Sequence, residues 1–242
     1  MSQKVALVTG VGKKTGLGFA VTQGLLSLKM TVYLTARTQD QADRMAELLS
    51  GQAAVVPMVL DVSDPASIAE VTARIEAEQG KLDVLINNAA MLAPFGERAA
   101  TADLSDARKV FDVVLFGTWA LCRSMLPLLR QSPAGRVVNV SSGAGSHGDP
   151  AFGLTTDNQL GTSYAVSKAA LNALTVKLAR EEEGSAVKIN AVCPGFTATF
   201  EGGSAMGAGP PEESAKGIIW AATLPESGPT AGFFRDREPL LW

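Results

Sequence analysis

Cysteine, histidine and aromatic side chains are scarce in this chain. Two cysteines, Cys122 and Cys193, stand among 242 residues, too few for a disulfide framework, and a reducing compartment is expected. His147 is the only histidine, so no ligand spacing suggests a metal, and a metal-free mechanism is expected. Positive charge is not in excess either: 21 Lys and Arg face 24 Asp and Glu, scattered along the chain, with a pI of about 5.3. That leaves no electrostatic footprint for nucleic acid. The opening Met1-Ser2-Gln3-Lys4 leads into an apolar run far shorter than a signal-peptide core or a membrane span. A cytoplasmic protein with no membrane partner is expected.

What is present is apolar and periodic. Hydrophobic residues make up 46%, ample for a core, and the length suits one large α/β domain, taken as 1–242. Short β-branched runs at Val5–Thr9, Thr31–Thr35, Ala54–Val59, Val84–Ile86, Arg136–Val140 and Lys188–Val192 predict strands. Between them, Ala66–Glu78, Ser105–Arg130 and Ser163–Glu183 carry the helical period. This alternation implies an α/β fold: a doubly wound parallel sheet (Rossmann fold) in three α/β/α layers. The Gly/Pro-rich stretch Gly202–Pro211 lies between elements and reads as a mobile loop, so a substrate loop is expected at about 200–211.

Three patterns carry chemistry. The first strand ends in Thr9-Gly10-Val11-Gly12-Lys13-Lys14-Thr15-Gly16-Leu17-Gly18, where glycines let the backbone approach a pyrophosphate at a helix N-terminus; the plain alternative is an ordinary turn. The second strand runs into Arg37, with no acid before Asp40. An acid there would bind the 2′-hydroxyl of NAD, whereas an arginine, with Lys13 or Lys14, suits the 2′-phosphate of NADPH; the alternative is solvated loop charge. Tyr164 and Lys168 stand four apart, on one helix face, where a cation would lower the tyrosine pKa from its usual value of about 10. The alternative is a half-buried tyrosine beside a snorkelling lysine.

In order, these residues resemble the short-chain dehydrogenase/reductase family in its compact single-domain form. The match runs from Val5 to at least Thr199: Thr9-Gly10 with Gly16-Leu17-Gly18, Asp61-Val62 at an adenine-contacting position, Asn87-Asn88-Ala89-Ala90, Ser141-Ser142, Tyr164 with Lys168, and Pro194-Gly195 with Thr199. Thr223-Leu224-Pro225, Gly228-Pro229 and Gly232-Phe233-Phe234 resemble the ending of carbonyl-reductase-like members.

The resemblance implies that a nicotinamide gives hydride to a carbonyl carbon while Tyr164 protonates the oxygen. Ser142, the later serine of its pair, would position that oxygen, and Lys168 would hold the ribose and lower the tyrosine pKa. Catalytic residues are therefore Ser142, Tyr164 and Lys168. The cofactor NADP(H) is expected on Gly10, Lys14, Gly16, Leu17, Gly18, Arg37, Asp61, Val62, Asn88, Tyr164, Lys168, Pro194, Gly195, Thr197 and Thr199. A small hydrophobic carbonyl or alcohol is the expected substrate, with Met91, Leu92, Phe95, Phe152, Leu154, Phe200 and Met206 as candidate pocket residues. Relatives pair through the helices matching Ser105–Arg130 and Ser163–Glu183, so a homodimer or homotetramer is expected. Roughly Ser146 to Leu160 is longer than usual and is expected to wall the substrate pocket, with His147 on the surface.

The sequence departs from the family at three places. Five residues separate Gly10 from Gly16 where relatives have three; Gly12, Gly16 and Gly18 restore the spacing but displace the threonine-glycine opening. Such a loop resembles the enoyl-reductase branch, whose tyrosine and lysine are spaced more widely than here. Val114 stands where relatives place an asparagine that anchors a water in the proton path, and Ala90 replaces a glycine. Two functions stay open: an NADPH-dependent carbonyl reductase, and a catalytically impaired NADPH-binding sensor or interaction protein of the same fold. A serine hydrolase is set aside, because no Gly-x-Ser-x-Gly elbow occurs.

Overall fold

Strands form where β-branched residues run together. Val5–Val8 is buried on both sides, with Val5 and Leu7 in one core and Ala6 and Val8 in the other. Only a sheet covered on both faces accommodates such a run. The structure, a computed structural model, describes residues 3–51, 54–157 and 160–242. Met1, Ser2 and two residues of the expected wall, Asn158 and Gln159, lie outside the described residues.

The order is β1 (Val5–Val8), α1 (Leu17–Ser27), β2 (Thr31–Ala36), α2 (Gln39–Leu48), β3 (Val55–Val59), α3 (Pro65–Gln79), β4 (Val84–Asn87), α4 (Leu104–Phe111), α5 (Thr118–Arg130), β5 (Arg136–Val140), α6 (Thr162–Glu181), β6 (Lys188–Val192), α7 (Pro211–Ala222), β7 (Phe233–Arg235) and β8 (Glu238–Pro239). The sheet order is β3-β2-β1-β4-β5-β6-β7-β8. All pairs are parallel except β7 with β8. Helices α3, α5 and α6 bury Ile75, Leu121 and Leu171 on one face, while α1, α2 and α7 bury Leu25, Ala42 and Ile218 on the other. The doubly wound fold is as expected. Chain direction across the sheet reverses between β1 and β4, and a crevice opens at their carboxyl ends, where such folds bind ligands.

Two features differ from the sequence reading. Ser105–Arg130 is not one α-helix: a π-helical turn at Asp112–Gly117 separates α4 from α5. The helix there passes Val62, whose carbonyl oxygen would lie 2.6 Å from a Cβ on Gly117, and π turns are frequent beside functional sites. The run Leu104–Arg130 is long and apolar enough to cross a membrane, yet half of its most apolar window is buried inside the protein, as in a core helix. The C-terminal strands β7 and β8 were not anticipated. They form a hairpin whose turn residues Asp236 and Arg237 both have positive φ.

Candidate active site

The glycine loop folds down onto the end of β4. Thr9 Oγ1 accepts the Asn88 and Ala89 backbone N–H groups, each at 2.9 Å, and the Asn88 side-chain amide donates to the Thr9 and Gly10 carbonyls at 2.8 and 3.2 Å. Gly10 has φ of +73°, and a Cβ there would lie 2.8 Å from Ala89 Cα. Thr9 and Gly10 therefore keep the opening position of the loop, and the extra length bulges beyond them. Gly12, offered by spacing as a steric glycine, has only Gln41 Oε1 at 3.9 Å from its Cβ position.

Gly16 begins α1 with no side-chain cap and no acid in the first turn. Those uncapped amides and the helix dipole suit an anion. Leu17 is buried behind them. A Cβ on Gly18 would come within 2.7 Å of the Asn88 amide nitrogen and 3.0 Å of the Gly10 carbonyl. Gly18→Ala is expected to weaken dinucleotide binding at least tenfold with a smaller loss of stability, checked by fluorescence titration and thermal melting; unchanged affinity would remove this loop from the site. Lys13 donates to the Thr199 carbonyl, tying the loop to the segment after β6, while Lys14 is exposed.

Across the β1/β4 crevice lies a cavity of about 490 Å³, lined among others by Arg37, Asp61, Val62, Met91, Val113 and Gly117. The Ser63 hydroxyl and amide hold the Asp61 carboxyl below its ordinary range, with a smaller pull from Arg37. Ala90 has no positive φ, so alanine is unstrained there. Beyond β6, Gly195 has φ of +73° with open space at its Cβ position. Thr197 is buried, with Oγ1 3.3 Å from the Pro194 and Gly195 carbonyls and 2.8 Å from Ser214 Oγ. Uncapped amides at the start of α1, an open cavity, and a glycine loop that no side chain could enter without a clash at Gly10 or Gly18 together fit a nicotinamide dinucleotide.

Ser142, Tyr164 and Lys168 come together at the carboxyl end of β5. Ser141 is consumed by the structure, donating to Asn172 Oδ1 at 2.5 Å. Ser142 is half-buried, its Oγ accepting the Ala144 backbone N–H at 3.2 Å, and its hydroxyl lies near enough to the Tyr164 side chain to favour the ionised phenol. Lys168 is buried, donates to the Val140 carbonyl at 2.7 Å, and lies 5.6 Å from the Tyr164 ring centre.

The expected lowering of the tyrosine pKa is not found. Burial pushes Tyr164 up to about 12, which the Ser142 hydroxyl only partly offsets, and burial pulls Lys168 down to about 8. The physical reason is direction: the ammonium is turned to the Val140 carbonyl, and desolvation dominates both groups.

Several residues that hold this cluster, Glu97, Asn139 and Thr175 among them, were given no role from the sequence. Glu97 accepts the Ser163 backbone N–H at 2.6 Å and the Ser163 hydroxyl at 3.0 Å, fixing the start of α6 one residue before Tyr164. Gly161, with φ of +84°, lets the chain enter that helix close under Ala93. Asn87 donates to Asn139 Oδ1 at 2.7 Å and Asn139 to Thr175 Oγ1 at 2.8 Å, a buried ladder from sheet to α6, with Asn87 Oδ1 unpartnered. Val114 lies in the π turn with its side chain packed into the core. His147 is exposed; its backbone N–H donates to the Trp242 carbonyl at 2.9 Å. Of the apolar candidates, Phe95 and Phe200 meet at 6.4 Å between ring centres, and Phe196, not foreseen, meets Phe200 at 6.3 Å.

Comparison with known proteins agrees with this fold. The family described as short chain dehydrogenase matches residues 4–205. The mouse (Mus musculus) protein named carbonyl reductase (NADPH) 1 is 30% identical over 282 residues, covering 100% of this chain and 99% of its own. Oxidoreductase UcpA of Escherichia coli (strain K12) is 30% identical over 203 residues, 82% of this chain and 71% of its own. The crystal structure of NADPH bound carbonyl reductase from chicken fatty liver superposes with a TM-score of 0.82 at 27% identity, covering 100% of both chains. With its Rossmann sheet, its glycine loop and this match over most of its length, the chain belongs to the short-chain dehydrogenase/reductase family of nicotinamide-dependent oxidoreductases.

Proposed function

We propose that this protein is an NADPH-dependent reductase of small hydrophobic ketones or aldehydes, working as one dinucleotide-binding domain over residues 1–242 with a substrate loop at about 200–211. The observation that carries the reading is the convergence at the end of β5 of Ser142, Tyr164 and the buried Lys168, whose ammonium lies 5.6 Å from the Tyr164 ring centre. Bound in the crevice, a reduced nicotinamide supplies the hydride. Ser142 orients the carbonyl oxygen, and Tyr164 gives it a proton. A tyrosine pushed up to about 12 is fully protonated at neutral pH, which is the form a proton donor needs. Lys168 leaves the Val140 carbonyl to hold ribose hydroxyls and brings positive charge to the tyrosine as it ionises. Gly10, Gly16, Leu17 and Gly18 receive the pyrophosphate; Asp61, Val62 and Asn88 border the adenosine; Pro194, Gly195, Thr197 and Thr199 close the nicotinamide end. Phe95, Phe196, Phe200, Met91 and Met206 offer an apolar mouth to the substrate. Exposed Leu104, Phe116 and Trp119 on α4, the π turn and α5 support a homodimer or homotetramer.

Cofactor choice rests on Arg37, with Lys14 at the loop rim. The nearest acid along the chain, Asp40, pairs with Arg44 at 2.8 Å, and the carboxylate that shares the cavity with Arg37, Asp61, already accepts the Ser63 hydroxyl and amide. Arg37→Asp is expected to lower the NADPH/NADH preference by tenfold or more, through a lost phosphate contact and added repulsion. Paired titrations with the two cofactors read it, and an unchanged ratio would refute the assignment. The proposal as a whole is tested by titrating with NADPH and NADH, then adding aliphatic and aromatic ketones and aldehydes while following nicotinamide absorbance. Oxidation by a panel member supports the reductase; tight binding without turnover would favour the sensor or interaction protein.

A further inference from the structure

A buried ion pair stands directly behind the serine of the site, and no step of the proposed reaction uses it. Asp149 has no exposed side-chain surface, and Arg235, at the end of β7, keeps 22%. The Arg235 guanidinium donates to Asp149, and its Nε and Nη2 also face Cys193 Sγ, each at 3.4 Å. Burial alone would raise the Asp149 pKa, but the Arg235 bond and the Ala151 and Phe152 amides, at 2.9 and 3.2 Å, hold the carboxyl below its ordinary range. It is a charged pair at neutral pH.

The pair lies across the backbone of Gly143, the residue after Ser142. A Cβ on Gly143 would overlap Asp149 Oδ2 and Arg235 Nη2, and the Gly143 N–H donates to Cys193 Sγ at 3.2 Å. On its other side, the same short turn presses on α6: a Cβ on Gly145 would come within 2.5 Å of the Lys168 carbonyl carbon. Asp149 also fixes the start of the substrate wall through the Ala151 and Phe152 amides, and the Arg235 guanidinium lies 5.7 Å from the Phe152 ring centre. The turn is thus held between the catalytic helix and the ion pair.

We infer that Asp149 and Arg235 are positioning residues, a buried clamp on Gly143 and Cys193 that sets Ser142 against Tyr164 and registers the Phe152 wall against the carbonyl substrate. The inference rests on the reductase reading. Breaking the clamp lets Ser142 drift, and misplaced orienting groups reduce turnover more than cofactor binding.

Asp149→Asn is expected to lower kcat for carbonyl reduction 10- to 100-fold, keep NADPH Kd within twofold, and enlarge the isotope effect with 4-deuterated NADPH as hydride transfer becomes slower. Arg235→Lys keeps the charge and the fold but not the fork, and is expected to give a smaller loss of the same kind. Glu182→Gln is the control, because it breaks another ion pair with a buried carboxylate, Arg130–Glu182, in which Glu182 is only 2% exposed and lies at the far end of α6 from the turn. It is expected to lower Tm and leave kcat and the isotope effect unchanged. The clamp is overturned if folded Asp149→Asn or Arg235→Lys keeps wild-type kcat, or if Glu182→Gln loses kcat equally at a matched drop in Tm. If Asp149→Asn does not fold, Arg235→Lys decides. Absence of turnover in the unaltered protein overturns both this inference and the reductase reading, whereas turnover indifferent to the clamp overturns only the clamp.

Discussion

Tyr164→Phe is expected to bind NADPH with unchanged affinity and to lose about three orders of magnitude in kcat, within the range that positioned proton transfer contributes. The phenyl ring keeps its packing against the core on this face of the sheet, so only the hydroxyl is lost. That hydroxyl is the donor in reach of a carbonyl oriented by Ser142. His147 offers no substitute, because it is exposed on the wall. Steady-state kinetics with a substrate from the panel decide the matter, and retention of wild-type kcat would show that another group delivers the proton.

Lys168→Met is expected to abolish measurable turnover and at the same time to stabilise the protein. Burial lowers the Lys168 pKa from 10.5 to about 8, so at pH 7 the folded state carries a charge that it disfavours. A shift of this size corresponds to roughly 3 kcal/mol against folding, by about 1.4 kcal/mol per pKa unit. Loss of the bond from the ammonium to the Val140 carbonyl takes back about 2 kcal/mol, leaving a net gain of about 1 kcal/mol and a Tm higher by about 2–4 °C.

The sign has a pH signature. Between pH 8 and 10.5 the unfolded chain binds more protons at this lysine than the folded one, so its unfavourable contribution fades as pH rises through that window. Tyr164, raised to about 12, acts oppositely above pH 10. The stability advantage of Lys168→Met should therefore be largest below pH 8 and shrink towards pH 10. A melting series showing equal or lower Tm for the variant at pH 7 would mean that the buried ammonium is compensated by the protein, and its electrostatic strain would have to be dropped.

The parts of the molecule legible in the sequence are those with a short-range signature. β5 and β6 occupy the predicted Arg136–Val140 and Lys188–Val192, because central parallel strands are short runs enriched in Val and Ile. Tyr164 and Lys168 share a helix face because four residues make about one turn. The glycine loop and Arg37 were visible for similar reasons, each fixed by its distance from a strand end. The π turn at Asp112–Gly117 was not: its residues read as ordinary helix, and the insertion answers to the Val62 backbone, which is distant in sequence. The tyrosine pKa was misjudged for the same kind of reason. Spacing places Lys168 near Tyr164, but the direction of its ammonium depends on the Val140 carbonyl, and the balance of charge and burial belongs to the assembled site. Glu97 and Arg235 have no short-range signature, because their partners, Ser163 on α6 and Asp149, are distant in sequence.

The C-terminal hairpin also bears on how the molecule is made. The Asp149–Arg235 clamp joins residues 86 positions apart, and the Ser146 hydroxyl reaches the Leu241 carbonyl at 2.6 Å across 95. Contacts this distant close late, because the intervening chain must first give up its freedom. During synthesis, β1, α1 and β2 emerge well before Arg235 exists. The half of the sheet that carries the glycine loop can take shape on the ribosome, while the segment from Ser146 to Phe152 must wait for nearly the whole sequence, so a nascent chain acquires the first loop of its crevice long before the turn beside Ser142 is pinned.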